Sequence, residues 1–139
     1  MAVVNNLPSQ IQTLLQGPRL ADVAALATTI SNGGGMLSNN AITASTTQSQ
    51  AGGTVLSYGI NRITVANSSD AVTLPKAAAG SSIVIINVTG QTVQVFPFKG
   101  DKINAAAVDA AVTIADATTS DYYCAVGLIW NGGATTNEA

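Results

Sequence analysis

The chain has no histidine among its 139 residues. That removes the commonest general base, the commonest metal ligand and any Ser-His or Cys-His nucleophile pair. Asp70, Asp101, Asp109, Asp116 and Asp121 each stand beside Gly, Ser, Thr, Ala or another turn-compatible residue. Aspartate is favoured at such places because it hydrogen-bonds its own backbone, so all five read as turn residues. No spacing suggests a carboxylate pair for glycoside cleavage. "NGGGM" (32–36) lacks the Lys-Ser/Thr ending of a phosphate loop and reads as a hinge. Cys124, the single cysteine, has no cation beside it and reads as a small buried apolar residue. Tyr122, Tyr123 and Trp130 are the remaining candidates: such aromatics form either a sugar-binding platform or the closure of a core or interface. The expectation is a binding protein and not an enzyme, with no cofactor and no metal.

Composition agrees in direction. Only 9% of residues are charged and 4% aromatic, while 47% are hydrophobic; globular domains carry about 25% charged residues. A chain so poor in charge is expected to lie against other copies or a larger body. The net charge of −2 with five scattered Lys and Arg argues against nucleic acid as a partner. No run reaches the roughly 18–20 apolar residues of a membrane span. "MAVVNNLPSQ" does not read as a signal peptide, which points to synthesis in a cytoplasm. "SDYYCAV" has the look of an immunoglobulin F strand, but the earlier Cys and the intervening Trp are missing.

Two short helices are expected at the start. Leu7, Ile11, Leu14 and Leu15 share one face before Gly17-Pro18, and Leu20, Val23, Ala24, Ala27 and Ile30 share another before Asn32 and three glycines. Residues 32–53 have the Gly, Ser, Thr, Asn and Gln content of a connector. From Thr54 the apolar period becomes two. Ile63 and Val65, then Val72 and Leu74, alternate with polar neighbours, while "SSIVIINV" is apolar on both faces, as in a strand covered on both sides. Thr89-Gly90 and Lys99-Gly100-Asp101 read as tight turns, with "AAVTIA" and "DYYCAVGLIW" as later strands. Seven or eight short strands mark a β-sandwich, jelly roll or small barrel. The expected architecture is therefore mainly β: a helical arm (1–31), a flexible linker (32–53), a β-sandwich or jelly-roll-like body (54–131) and a flexible tail (132–139).

Val72-Thr73-Leu74-Pro75, the Ala-Ala-Ala-Gly turn at 77–80, Ile86-Asn87, Val95-Phe96-Pro97, Gly100-Asp101-Lys102-Ile103-Asn104, Val112-Thr113-Ile114-Ala115 and Tyr123-Cys124-Ala125 with Gly127 and Trp130 occur in that order. Over about residues 61–131 the series resembles a β module recurrent in tailed-bacteriophage virion proteins. The resemblance implies a capsid decoration (cement) protein, seated as a homotrimer at capsomer junctions on the outside of the virion, with the major capsid protein as partner. It gives Val3, Val4, Leu7, Ile11, Leu14 and Leu15 the role of capsid-binding arm contacts. Two alternatives stand beside it: a receptor-binding head fibre or tail spike using the Tyr and Trp side chains on host glycans, and a host-envelope hydrolase.

Overall fold

The computed structural model describes residues 37–136, with side chains through residue 133. They fall in the second of two units, which begins at Met36. The expected helical arm, with Val3, Val4, Leu7, Ile11, Leu14 and Leu15, lies outside the described residues, and so does the end of the expected tail.

Among the described residues there is no helix; there are ten strands. They are β1 (Ser38–Thr43), β2 (Thr54–Val55), β3 (Gly59–Val65), β4 (Ala71–Thr73), β5 (Ser82–Asn87), β6 (Val93–Phe96), β7 (Lys102–Ile103), β8 (Val112–Ile114), β9 (Thr118–Tyr123) and β10 (Ile129–Thr136). The chain alternates between two sheets. β1, β3 and β5 stack in parallel in the first, and β2, β4 and β6 stack in parallel in the second. Each circuit of about 20 residues therefore lands on the circuit before it, which is a solenoid. A fourth layer reverses direction, with β8 antiparallel to β6 and β9 antiparallel to β5. β10 then pairs antiparallel with β9, and β7 lies parallel to β10 at the sheet's edge. The result is a β-solenoid of about four layers closed at its C-terminal end by reversed strands.

The sandwich or jelly-roll body expected of a decoration protein is thus replaced by stacked parallel coils. Alternation and turn residues report where strands lie and which side is buried; they are silent on the partner strand. Segments read as hairpin turns, such as Thr89-Gly90, are corners that carry the chain from one sheet to the other. Part of the stretch read as connector supplies β1, and β10 continues past residue 131 to Thr136.

The core fills the space between the sheets. Ile63, Val72, Leu74, Ile83, Ile85, Val93, Val95, Ile103, Ile114 and Trp130 are fully buried. On β5, Ile83 and Ile85 point inward, whereas Val84 and Ile86 are only half-buried on the outer face. Two asparagines are also fully buried, Asn61 and Asn87, and both serve corners. Asn61 Nδ2 donates to the Ser57 and Gly59 carbonyls at 2.7 and 3.2 Å. Buried amides persist only where their hydrogen bonds are met by such partners.

A polar staple runs along the second sheet. Gln50 accepts from the Thr73 hydroxyl (2.8 Å) and donates through Nε2 to the Pro97 carbonyl and to Asp109 Oδ1, both at 2.9 Å. Asp109 Oδ1 also accepts from Gly100 N at 2.7 Å. The Gln50 amide, then the Gly100 N–H, hold the Asp109 carboxyl below the ordinary range against an opposing effect of desolvation, with a lesser pull from the Lys99 charge. A carboxylate with a depressed folded pKa contributes stability that is present above its unfolded pKa and lost as pH falls through the folded value. The urea midpoint of the wild type is therefore expected to exceed that of Asp109→Asn at neutral pH, and the gap is expected to shrink below about pH 4. A gap that stays constant down to pH 2 would remove Asp109 from the staple.

Candidate binding cleft on the solenoid surface

β9 alternates cleanly, with Thr118, Ser120 and Tyr122 inward and Thr119, Asp121 and Tyr123 outward. The three aromatics singled out from sequence are accordingly separated. Tyr122 is in the core, where burial pushes its phenol up. Trp130 is fully buried and donates Nε1–H to the Pro75 carbonyl at 3.1 Å. Only Tyr123 faces solvent, at 57% exposure. A platform made of all three does not exist.

Tyr58, which sequence reasoning passed over, takes the second exposed place. It sits at the corner between β2 and β3, 45% exposed, with its hydroxyl donating to the Lys76 carbonyl at 2.7 Å. Its ring leans on Trp130 with centroids 6.4 Å apart and planes at 41°. Beside it opens a shallow cleft of about 260 Å³ lined by Leu37, Tyr58, Gly59, Ser81 and Ser82. Ser82 lies directly opposite Tyr123 on the neighbouring strand. Gly59 is required here: its φ is +99°, and a Cβ would overlap the Leu37 carbonyl oxygen, which accepts from Ile60 N at 2.8 Å. The backbone of Leu37 is thereby held against the cleft floor.

The lining carries no charge. It offers an aromatic face, an aliphatic side chain and two serine hydroxyls, a set that suits a neutral polyol with one apolar face better than an ion. No carboxylate lines it for acid–base work. Four of the five aspartates among the described residues tie down loops. Asp70 accepts from Asn67 N (2.7 Å), Asp101 from Ala77 N (2.7 Å), Asp116 from Gly90 N (2.8 Å) and Asp109 as above. Asp121 departs from the turn expectation, since it stands mid-strand on the outer face of β9. Cys124 is buried, its thiol donating to the Val126 carbonyl at 3.1 Å. Among the described residues, no three His, Cys, Asp or Glu side chains are grouped to hold a metal ion.

The class this geometry defines is a short two-sheeted β-solenoid with a neutral surface cleft. No known family model matches the chain, and no curated protein sequence matches it.

Proposed function

We propose that this chain is a fibre- or spike-type virion protein whose solenoid body contacts neutral glycans on the host surface. The observation that carries the reading is the stacking of parallel coils along one axis. Such a body is built by neighbour-on-neighbour layers and presents regular, laterally exposed surfaces suited to adhesion. A fold alone does not assign a function, so the cleft supports the second half of the reading, with Tyr58 and Tyr123 as stacking faces and Ser81 and Ser82 as hydroxyl partners. In this reading the residues before the solenoid, including Val3, Val4, Leu7, Ile11, Leu14 and Leu15, attach the protein to the major capsid protein. The protein works on the virion exterior by binding, without a cofactor and without nucleic acid or membrane as partner. The stacked coils support this reading better than a cement role, for which a sandwich body is expected.

The test is a glycan array and a host-cell binding assay with the full chain, beside Tyr123→Ala and the cleft-filling Ser82→Trp. The wild type is expected to bind cells and at least one neutral glycan. Each variant is expected to bind roughly tenfold more weakly or worse with an unchanged thermal midpoint. Strong binding to stripped capsids with none to cells or glycans would overturn the proposal, as would wild-type glycan binding by both variants.

A further inference from the structure

The outer face of the first sheet is a regular grid. Along one row, Ser38, Ile60, Val84, Asp121 and Gly133 stand side by side on successive strands. In the next row Arg62 pairs with Ile86, and Ile86 with Thr119. Ile60, Val84, Ile86 and Thr119 are half-buried and outward, and within these two rows only Arg62 and Asp121 bring charge, both exposed. Those two lie on β3 and β9, with β5 between them and one row offset. Strand spacing and rise put their Cα atoms about 12 Å apart, so an aliphatic strip, Val84 and Ile86, separates the charges within one copy.

This diagonal is self-complementary. Take a two-fold axis in the plane of a face-to-face contact, perpendicular to the Arg62–Asp121 line and crossing it between Val84 and Ile86. That operation lays each Arg62 over Asp121 of the second copy and packs the two aliphatic strips together, which is the isologous contact expected of a two-fold dimer. We propose that the occupant of this face is a second copy of the chain, joined through two reciprocal Arg62–Asp121 pairs around a Val84/Ile86 centre. Complementary charge of this kind fixes register, and its reversal is penalised by like-charge contact.

The β1 and β7 edges compete poorly for the role. β1 carries register breaks between Asn39 and Ile42 and between Ile42 and Thr43, and such bulges blunt an edge against adding strands. β7 is only two residues long. The dimer face adjoins the cleft, since Ser82 lies one row from Val84 and Tyr123 one row from Asp121; the two readings are told apart by readout, the charge reversals moving self-association and the Tyr123 and Ser82 variants moving glycan binding.

The experiment measures the mass and dissociation constant of the full chain by sedimentation, with Arg62→Asp, Asp121→Arg and the double exchange. The wild type is expected to self-associate, and each single reversal to weaken association at least tenfold (about 1.4 kcal/mol). The double exchange is expected to restore it. Circular dichroism melts of all four proteins check that the folds are intact. A monomeric wild type at tens of micromolar overturns the proposal. So does an oligomer indifferent to both reversals, or a double exchange that stays as weak as the singles.

Discussion

Replacing Trp130 with alanine is expected to remove about 3–5 kcal/mol of folding stability, the usual loss for truncating a buried aromatic. Trp130 is fully buried in β10 and lies in register with Ile103 of β7. Its indole N–H bonds the Pro75 carbonyl at 3.1 Å, at the corner leaving β4, and its ring meets Tyr58. One side chain thus fastens the reversed C-terminal strands to a corner of the parallel coils. Total stability of a domain this size is about 5–15 kcal/mol, so the variant is expected to lose roughly a fifth of it or more. Trp130→Phe keeps most of the apolar area but leaves the Pro75 carbonyl without its donor. Its loss is expected to be smaller, about 1–3 kcal/mol. Trp130 is the chain's only tryptophan, so urea titrations must follow circular dichroism. A Trp130→Ala variant within 1 kcal/mol of wild type would mean that the closure of the solenoid rests elsewhere.

Much of the strand content was legible, because period two is local. That Ile83 and Ile85 share one face and Val84 and Ile86 the other follows from alternation; which face is inward does not, because both are apolar. The error concerned pairing. "SIVIIN", apolar on both sides, carries the mark of a parallel sheet, and that mark fits a covered strand of any sandwich as well as one layer of a stack. A degenerate repeat was also present. Val72-Thr73 sits directly on Val95-Phe96 in the second sheet, and in the sequence each is followed within two residues by proline. The repeat is hard to see because successive coils differ in length and their corners share no sequence. "ANSSD", "AAAG" and "KGD" all read as ordinary turns. Nothing local distinguishes a corner that changes sheet from a hairpin that returns to the same one.

The candidate cleft was less legible than the fold. That Tyr122 and Tyr123 must face opposite ways was implicit in alternation, so grouping them on one platform ignored the same rule that located the strand. Tyr58 could not be found by that route. It comes near Ser81, Ser82 and Trp130 only because coils stack, bringing together residues far apart in the chain. The Ser neighbour of Asp121 points to a turn, whereas the structure puts it in the middle of β9. An aspartate on an exposed strand face is a poor β-former, so its position there asks for a role in recognition more than in folding.

Asn87→Ala is expected to cost about 3 kcal/mol or more, because several buried groups lose partners together. Asn87 is fully buried at the end of β5. Its Nδ2 donates to the carbonyls of Gln91 (2.8 Å), Ile114 (3.1 Å) and Ala115 (3.1 Å), while Oδ1 accepts from Thr89 N (3.2 Å) and the Thr89 hydroxyl (2.8 Å). The amide shapes the corner after β5 and bonds it to the end of β8, so it joins the last parallel coil to the layer that reverses. Asn87→Asp sharpens the test. It keeps the shape and the acceptor but replaces the donor with an oxygen aimed at three carbonyls. Ionised, that carboxylate is buried and repelled, so its folded pKa is raised above the unfolded value near 3.9. Stability is then expected to be greatest below about pH 4 and to fall as pH rises through the shifted pKa, opposite in sign to the contribution of Asp109. Urea midpoints of Asn87→Asp at pH 4 and pH 7 check this. A variant equally stable at both would mean that the Gln91, Ile114 and Ala115 carbonyls do not depend on this amide.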